Sequence, residues 1–202
     1  MKKPGIFQFR ILKEAVTAAL FGPYTSKFPA VIPVPPDGYR GKPEYSKEDC
    51  VGCGACAEVC PARAIEIKDD KVKKVRTLTH RQDVCIYCGQ CEKACITEKG
   101  IRLTKEYILA TYDRKQAYST VEKELVICEN CGEVVGCLDH LKYLAKKVGH
   151  LLYANPTLLM ARHDELKLLE KELPSESPHK RAGHLKMLCP NCRREMILKE
   201  QW

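Results

Sequence analysis

The sequence has no apolar run near the roughly 18–20 residues that a membrane helix needs. The stretch Ala15 to Phe21 resembles the core of a signal peptide but is only seven residues long. Lys13 and Glu14 stand just before it, and no small-residue cleavage site follows. A basic tail is also missing. The net charge of +8 comes from 34 Lys and Arg against 26 Asp and Glu. It is spread as 8 against 5 in 1–49, 10 against 7 in 50–104 and 16 against 14 in 105–202, so nothing resembles an arm that wraps nucleic acid. Aromatics make up only 7% of the chain, yet 45% hydrophobic residues exclude a disordered polymer. Asn and Gln are scarce, three and five, a composition in keeping with a thermophile. What the chain has in excess is cysteine, thirteen in 202 residues. In a reducing compartment clustered thiols hold metal, and the chain is expected to be cytosolic or attached to the cytosolic face of a membrane.

Spacing separates disulfides from metal. Two stretches repeat one pattern: Cys50-x2-Cys53-x2-Cys56-x3-Cys60-Pro61 and Cys85-x2-Cys88-x2-Cys91-x3-Cys95. Cysteines this close in sequence are poorly placed to bridge one another. They suit a tight loop that enters a helical turn and aims several thiolates at one iron–sulfur cube. In the two-cluster form of this pattern the fourth cysteine of each run serves the other cluster. That assigns Cys50, Cys53, Cys56 and Cys95 to one cluster and Cys85, Cys88, Cys91 and Cys60 to the other. Gly52, Gly54 and Gly89 let backbone N–H groups approach the sulfides. Zinc does not call for four cysteines in such a run. The C-x3-C-x2-C order of a radical-generating site is absent from both runs. Between them, Ala64 to Ile67 alternates, Asp69-Asp70 is expected to turn, and Val72 and Val75 to return as a strand. Lys71, Lys73, Lys74 and Arg76 read as the solvated face of that hairpin, or as a docking face for an acidic partner.

Past residue 104 come Cys128-x2-Cys131-Gly132 and Cys189-x2-Cys192, two knuckles that together offer four thiolates for a tetrahedral ion. Zinc is the expected metal, and a single iron would use the same ligands. A connecting helix is expected over 105–116. Leu141, Leu144, Val148, Leu151 and Leu152, then Leu159, Leu166, Leu169 and Leu173 after Asn155-Pro156, predict a helical hairpin between the knuckles. Pro174 and the loop Ser175–Pro178 would close it. Cys137 is left over as an unliganded thiol, with His140 a weaker alternative ligand. At the other end, Phe9, Leu12, Val16, Ala19 and Leu20 predict a helix from Phe7 to Phe21, ended by Gly22-Pro23. It would pack on the neighbouring domain, or dock on another subunit or an anionic membrane surface through Lys2, Lys3, Arg10 and Lys13. The Pro-rich segment 28–43 reads as an extended arm.

Residues 50–104 resemble a bacterial-type ferredoxin domain with two 4Fe–4S clusters. Lys27-Phe28-Pro29, then Pro33, Pro35 and Pro36, then Tyr39-Arg40-Gly41-Lys42 resemble the lead-in of the ferredoxin-like subunit shared by respiratory complex I and membrane-bound nickel–iron hydrogenases. Ile96 departs from the pattern where the second run might carry proline, at a position that is not a ligand. The added C-terminal knuckles resemble the formate hydrogenlyase-type hydrogenase version. The resemblance implies an electron-transfer subunit without catalytic residues of its own. Its partners would be the hydrogenase small and large subunits, membrane-arm subunits and an electron donor or dehydrogenase, with no nucleic acid. It would sit peripherally on the cytoplasmic face of the cell membrane. The alternative is a complex I-like subunit that passes electrons toward quinone. The expected fold is α+β in three parts: 1–49, helix and docking arm; 50–104, two-cluster ferredoxin domain; and 105–202, connecting helix and zinc-ribbon or rubredoxin-like module with an inserted helical hairpin.

Overall fold

A tight CxxCxxC loop needs residues with φ above zero; the first run meets this with Gly52 and Gly54, the second with Gly89 and with Tyr87 at φ 52°. Gly54 (φ 83°) and Gly89 (φ 78°) adopt the left-handed conformation immediately before the short helices α2 (Ala55–Glu58) and α3 (Gln90–Lys93). The computed structural model describes residues 9–22, 25, 27–166 and 186–199, so Leu169, Leu173, Pro174 and the loop 175–178 lie outside the described residues, as do Lys2, Lys3 and Phe7.

The chain divides into two units, Met1–Tyr39 and Arg40–Trp202. In the first, helix α1 spans Phe9–Phe21 and buries none of its residues. Phe9, Leu12, Val16 and Leu20 are all exposed, as are Val31, Ile32 and Val34 in the segment that follows. Gly22 at φ 81° ends the helix, the usual conformation for a helix-terminating glycine.

The second unit is built on two antiparallel sheets. β1 (Pro43–Tyr45) pairs with β4 (Ile101–Leu103), and a four-stranded sheet has the order β2 (Ile65–Asp70), β3 (Val75–Arg81), β5 (Tyr118–Ile127), β6 (Val134–Cys137). The β2–β3 hairpin turns at residues 71–74, two residues later than expected. Asp70 makes that turn, because its carboxylate accepts the Val72 and Lys73 N–H groups. Val72 therefore sits at the tip, 93% exposed, and is not part of the returning strand.

The sheet crosses the expected 104/105 boundary: Val75–Arg81 is paired residue for residue with Glu124–Tyr118. The connecting helix expected over 105–116 does not form. At its start the chain is held instead by Gly41 and Lys42, which donate to the carbonyls of Thr104 and Glu106. Thr111 and Asp113 then engage backbone groups through their side chains, and only a 3₁₀ turn, Arg114–Ala117, follows. β5 escapes a pattern search because Lys123 shares the inward face with Val121 and Leu125. Its ammonium is held by Asp139 at 2.9 Å and by the Lys47 carbonyl at 2.7 Å.

Helices α4 (Leu138–Val148) and α5 (Pro156–Glu165) follow, joined by a 3₁₀ turn, and α6 (Pro190–Lys199) carries the last knuckle. Asn155 caps α5 by accepting the Thr157 and Leu158 N–H groups, with Pro156 in the first helical position. The buried face of α5 is Thr157, Met160 and Ala161, whereas Leu166 of the expected stripe is half exposed. Leu151 is also exposed, because the 3₁₀ turn at Gly149–Ala154 rotates it off the α4 face. Of the described residues, no helix is long and apolar enough to cross a membrane.

Candidate metal centres

The structure places Cys95 of the second run near Cys50 of the first, and Cys60 of the first run near Cys85, Cys88 and Cys91 of the second. Cys50 and Cys95 approach from either side of Gly100, where a Cβ would stand 3.1 Å from both the Cys50 Cα and the Cys95 Sγ. Burial pushes the Cys50 thiol up, and its neighbours Cys53 and Cys95 add to the rise. Burial likewise pushes Cys56 up to about 12, opposed by the Tyr45 hydroxyl 4.0 Å from its sulfur, with Cys53, Cys50 and Cys91 as neighbours that add to the rise. Burial alone would raise Cys95, but hydrogen bonds from Thr97, Ile101 and Gly100 bring its thiol below the ordinary value.

The other four come together as well. Cys60, Cys85, Cys88 and Cys91 line a single cavity with Ile65, His80 and Gly89. The Ala64 N–H points at the Cys60 sulfur (3.3 Å) and the Tyr87 N–H at Cys85 (3.4 Å). Burial pushes Cys91 up to about 11, with Cys85 and Cys88 as charged neighbours. Buried thiols that raise one another in this way cannot all ionise without a cation among them, and metal coordination removes their protons outright. The donor set, the convergence and the backbone N–H groups fit two iron–sulfur clusters.

The third group is tighter. The sulfurs of Cys128, Cys131, Cys189 and Cys192 all lie within 4.8 Å of one another, with Cys131 and Cys189 3.7 Å apart. Burial would raise Cys128, but backbone N–H groups of Cys131, Cys189 and Asn130 hold its thiol below the ordinary value. The Asn130 amide donates to Cys192 (3.3 Å) and the Cys192 N–H to Cys189 (3.5 Å). Gly132, at φ 73°, closes the first knuckle. Glu129 ties the two knuckles together: its N–H donates to the Met187 carbonyl and its carboxylate accepts the Met187 N–H. This donor set fits a metal ion.

Cys137 and His140 are not in that group. Cys137 is fully buried, and its thiol donates to the Gly52 carbonyl (3.3 Å) in the first cysteine run. Arg76 shares the same acceptor at 3.1 Å while it grips Asp69 through two 2.7 Å bonds. Arg76 is thus a buttress of the Cys50–Cys53 loop and not part of a solvated face. Lys71 also has a partner, Glu133, at 2.8 Å. Arg76, Lys123 and Cys137 around Gly52, and His80 beside Cys60, carry no local motif, so spacing alone does not reveal them.

Residues 49–99 match the family described as a 4Fe-4S dicluster domain. The chain is 30% identical to NADH-quinone oxidoreductase subunit I 2 of Geobacter metallireducens over 56% of this chain and 92% of that protein. It is 31% identical to NAD(P)H-quinone oxidoreductase subunit I of Gloeobacter violaceus over 64% of this chain and 66% of that one. Formate hydrogenlyase subunit 6 of Escherichia coli matches at 35% over 31% of this chain and 33% of its own length. The distance from Cys50 to Cys192 exceeds each of these overlaps, so none contains both the first cysteine run and the last knuckle. With the relative from Geobacter matched over nearly its whole length, the chain belongs to the dicluster iron–sulfur subunits typified by NADH-quinone oxidoreductase subunit I, and is an electron-transfer subunit related also to formate hydrogenlyase subunit 6.

Proposed function

We propose that this chain relays electrons to the nickel–iron catalytic module of a membrane-bound, hydrogen-evolving complex of the formate hydrogenlyase type. The observation that carries the reading is the four-thiol site of Cys128, Cys131, Cys189 and Cys192 added to the dicluster domain. The complex I-like alternative, delivery toward quinone, is favoured by the relatives matched over most of their length.

Each cluster, when bound, supplies a one-electron couple whose potential follows its hydrogen bonds and burial. Cys50, Cys53, Cys56 and Cys95 would hold one, and Cys85, Cys88, Cys91 and Cys60 the other. The four-thiol site is read as structural zinc. Zinc–sulfur bonds of about 2.3 Å set the edge of a regular tetrahedron at about 3.8 Å, against the 3.7 Å between Cys131 and Cys189. A single iron would use the same ligands. In this reading 1–49 is the docking segment, 50–104 the electron carrier and 105–202 the metal-stapled extension. The exposed apolar side chains of α1 and of Val31–Val34 suit burial against hydrogenase, membrane-arm or dehydrogenase subunits at the cytoplasmic membrane face.

The test is an anaerobic pull-down of the tagged protein from gently solubilised membranes, with partners identified by mass spectrometry and metals counted. Nickel with a hydrogenase large subunit is the expected result. A quinone-reducing complex without nickel would move the chain to the alternative. Recovery alone, in the soluble fraction, would overturn the docking role of the N-terminal segment.

A further inference from the structure

His80 is the most deeply buried imidazole among the described residues, 1% exposed, and both of its ring nitrogens are enclosed without a hydrogen-bond partner. Buried polar atoms in native proteins are almost always paired, and an orphan here is costly enough to need an explanation. Its position supplies one. On β3 the side chains of Leu78 and His80 face inward two residues apart, opposite Ile67 and Ile65 of β2. Leu78 enters the apolar core with Cys50, Cys56 and Ile65. His80 instead lines the cavity that holds Cys60, Cys85, Cys88 and Cys91. The rest of the lining is Pro43, Ala62, Ile65, Ile86, Tyr87 and Gly89; the Tyr87 hydroxyl donates to the Gln82 carbonyl, and neither ring nitrogen of His80 pairs with any of these residues. A leucine or isoleucine would fill the same space without the penalty.

We propose that His80 is a positioning and tuning residue whose ring N–H donates to a sulfur of the cluster held by Cys60, Cys85, Cys88 and Cys91, and so raises that cluster's reduction potential above that of an apolar surround. The inference rests on the ligand assignment proposed above. No bond is made or broken. One electron enters the cluster on reduction, its sulfurs become more negative, and a fixed N–H stabilises that state more than the oxidised one. Pro43 and Ile65 keep water from the ring, so the protein alone sets the donor.

The test uses the full chain, purified anaerobically with its iron, and follows both couples by redox titration with electron paramagnetic resonance. Cys85→Ser first identifies the couple of this cysteine set. His80→Leu should lower that couple and leave the other in place. The expected change is about tenfold in the reduction equilibrium, which is 59 mV for a one-electron couple. His80→Gln, which keeps an N–H, should recover part of the shift. In the wild-type protein labelled with 15N-histidine, pulsed resonance of the reduced state should show a histidine nitrogen coupled to one cluster, lost in His80→Gln. Unchanged couples in His80→Leu, an equal shift in both variants, a shift on the other couple, or no histidine coupling in the wild type would each overturn the proposal. If His80→Leu fails to take up iron, the wild-type coupling decides alone. A wild-type chain with only one cluster would overturn the ligand assignment instead, whereas two clusters with an inert His80 overturn this inference only.

Discussion

The two runs and the first knuckle each close a CxxC turn with a left-handed glycine, whereas the second knuckle runs into α6 without one, and the sites they build have different surroundings. The four sulfurs of the knuckles gather within 4.8 Å of one another, room for a single ion. Among the described residues, no such group forms from Cys50, Cys53, Cys56, Cys60, Cys85, Cys88, Cys91 and Cys95. These line a small cavity and a packed core, both bordered by β-sheet side chains. A single ion pulls its ligands to bond length, whereas a cube of iron and sulfide keeps them apart and leaves its own sulfides to be solvated by the protein. The surroundings differ accordingly. The tight site is satisfied by N–H groups of its own knuckles and by Asn130. The sites of the two runs draw on distant strands, with Arg76, Lys123 and Cys137 gathered behind one and His80 beside the other.

The largest effect that separates the two kinds of site is metal removal. The anaerobic protein should carry about eight iron and one zinc per chain by ligand count. Cys189→Ser should lose the zinc and, with it, folding free energy on the order of 10 kcal/mol for that module. Limited proteolysis should then cut within α4–α6 while both cluster signals survive. Loss of a cluster signal in that variant would show that the sites are not independent.

Next come the two glycines. At Gly52 the backbone is left-handed (φ 69°) and a Cβ would stand 2.7 Å from the Cys137 sulfur and 3.1 Å from Lys123. At Gly132 the backbone is equally left-handed (φ 73°), but nothing lies within 4 Å. Gly52→Ala should therefore cost about 2–3 kcal/mol and Gly132→Ala about 1 kcal/mol, the latter from conformation alone. Denaturant unfolding of the metal-loaded variants measures both. Equal losses would mean that the strands do not brace the first run.

Arg76→Gln should cost less, about 1–2 kcal/mol, by breaking the paired bonds to Asp69 and the one to Gly52. It also carries a pH signature. The hydrogen bonds from Arg76 hold the Asp69 carboxyl below its ordinary value. This contribution is present above the unfolded-state pKa of Asp69 and is lost as pH falls through the lowered folded value. Stability curves of wild type and variant should converge in acid and part toward neutrality. The smallest effect belongs to Glu133→Gln, which removes the exposed Lys71 pair between hairpin and knuckle. Its stability should match wild type within measurement error, at low and at high salt alike.

The cysteine groups were legible because thiolate chemistry is local. A cluster or zinc knuckle draws its cysteines from fixed short intervals, and both runs and both knuckles show such intervals in sequence, with glycine within each run and after Cys131. The neighbours were not legible. Lys123 on the inward face breaks the apolar alternation that would have marked β5. The segment expected as a helix at 105–116 carries no conflict with helical spacing, and its start is instead held by Lys42, far away in sequence, whose N–H donates to the Glu106 carbonyl. Cys137 read as a spare thiol, since nothing in its surroundings along the chain names Gly52 as its acceptor.

By itself, then, the order of residues marked which thiols come together and the class of electron-transfer subunit the chain belongs to, since cysteine spacing and donor softness are properties of short segments. The tertiary structure alone decided what surrounds each site, because β3, β5 and β6 bring together residues with no periodic relation to one another. A buried histidine beside four cysteines, and an arginine and a thiol on one carbonyl, exist only once the sheet has formed. Burial then removes water and leaves the protein's own dipoles to face the metal.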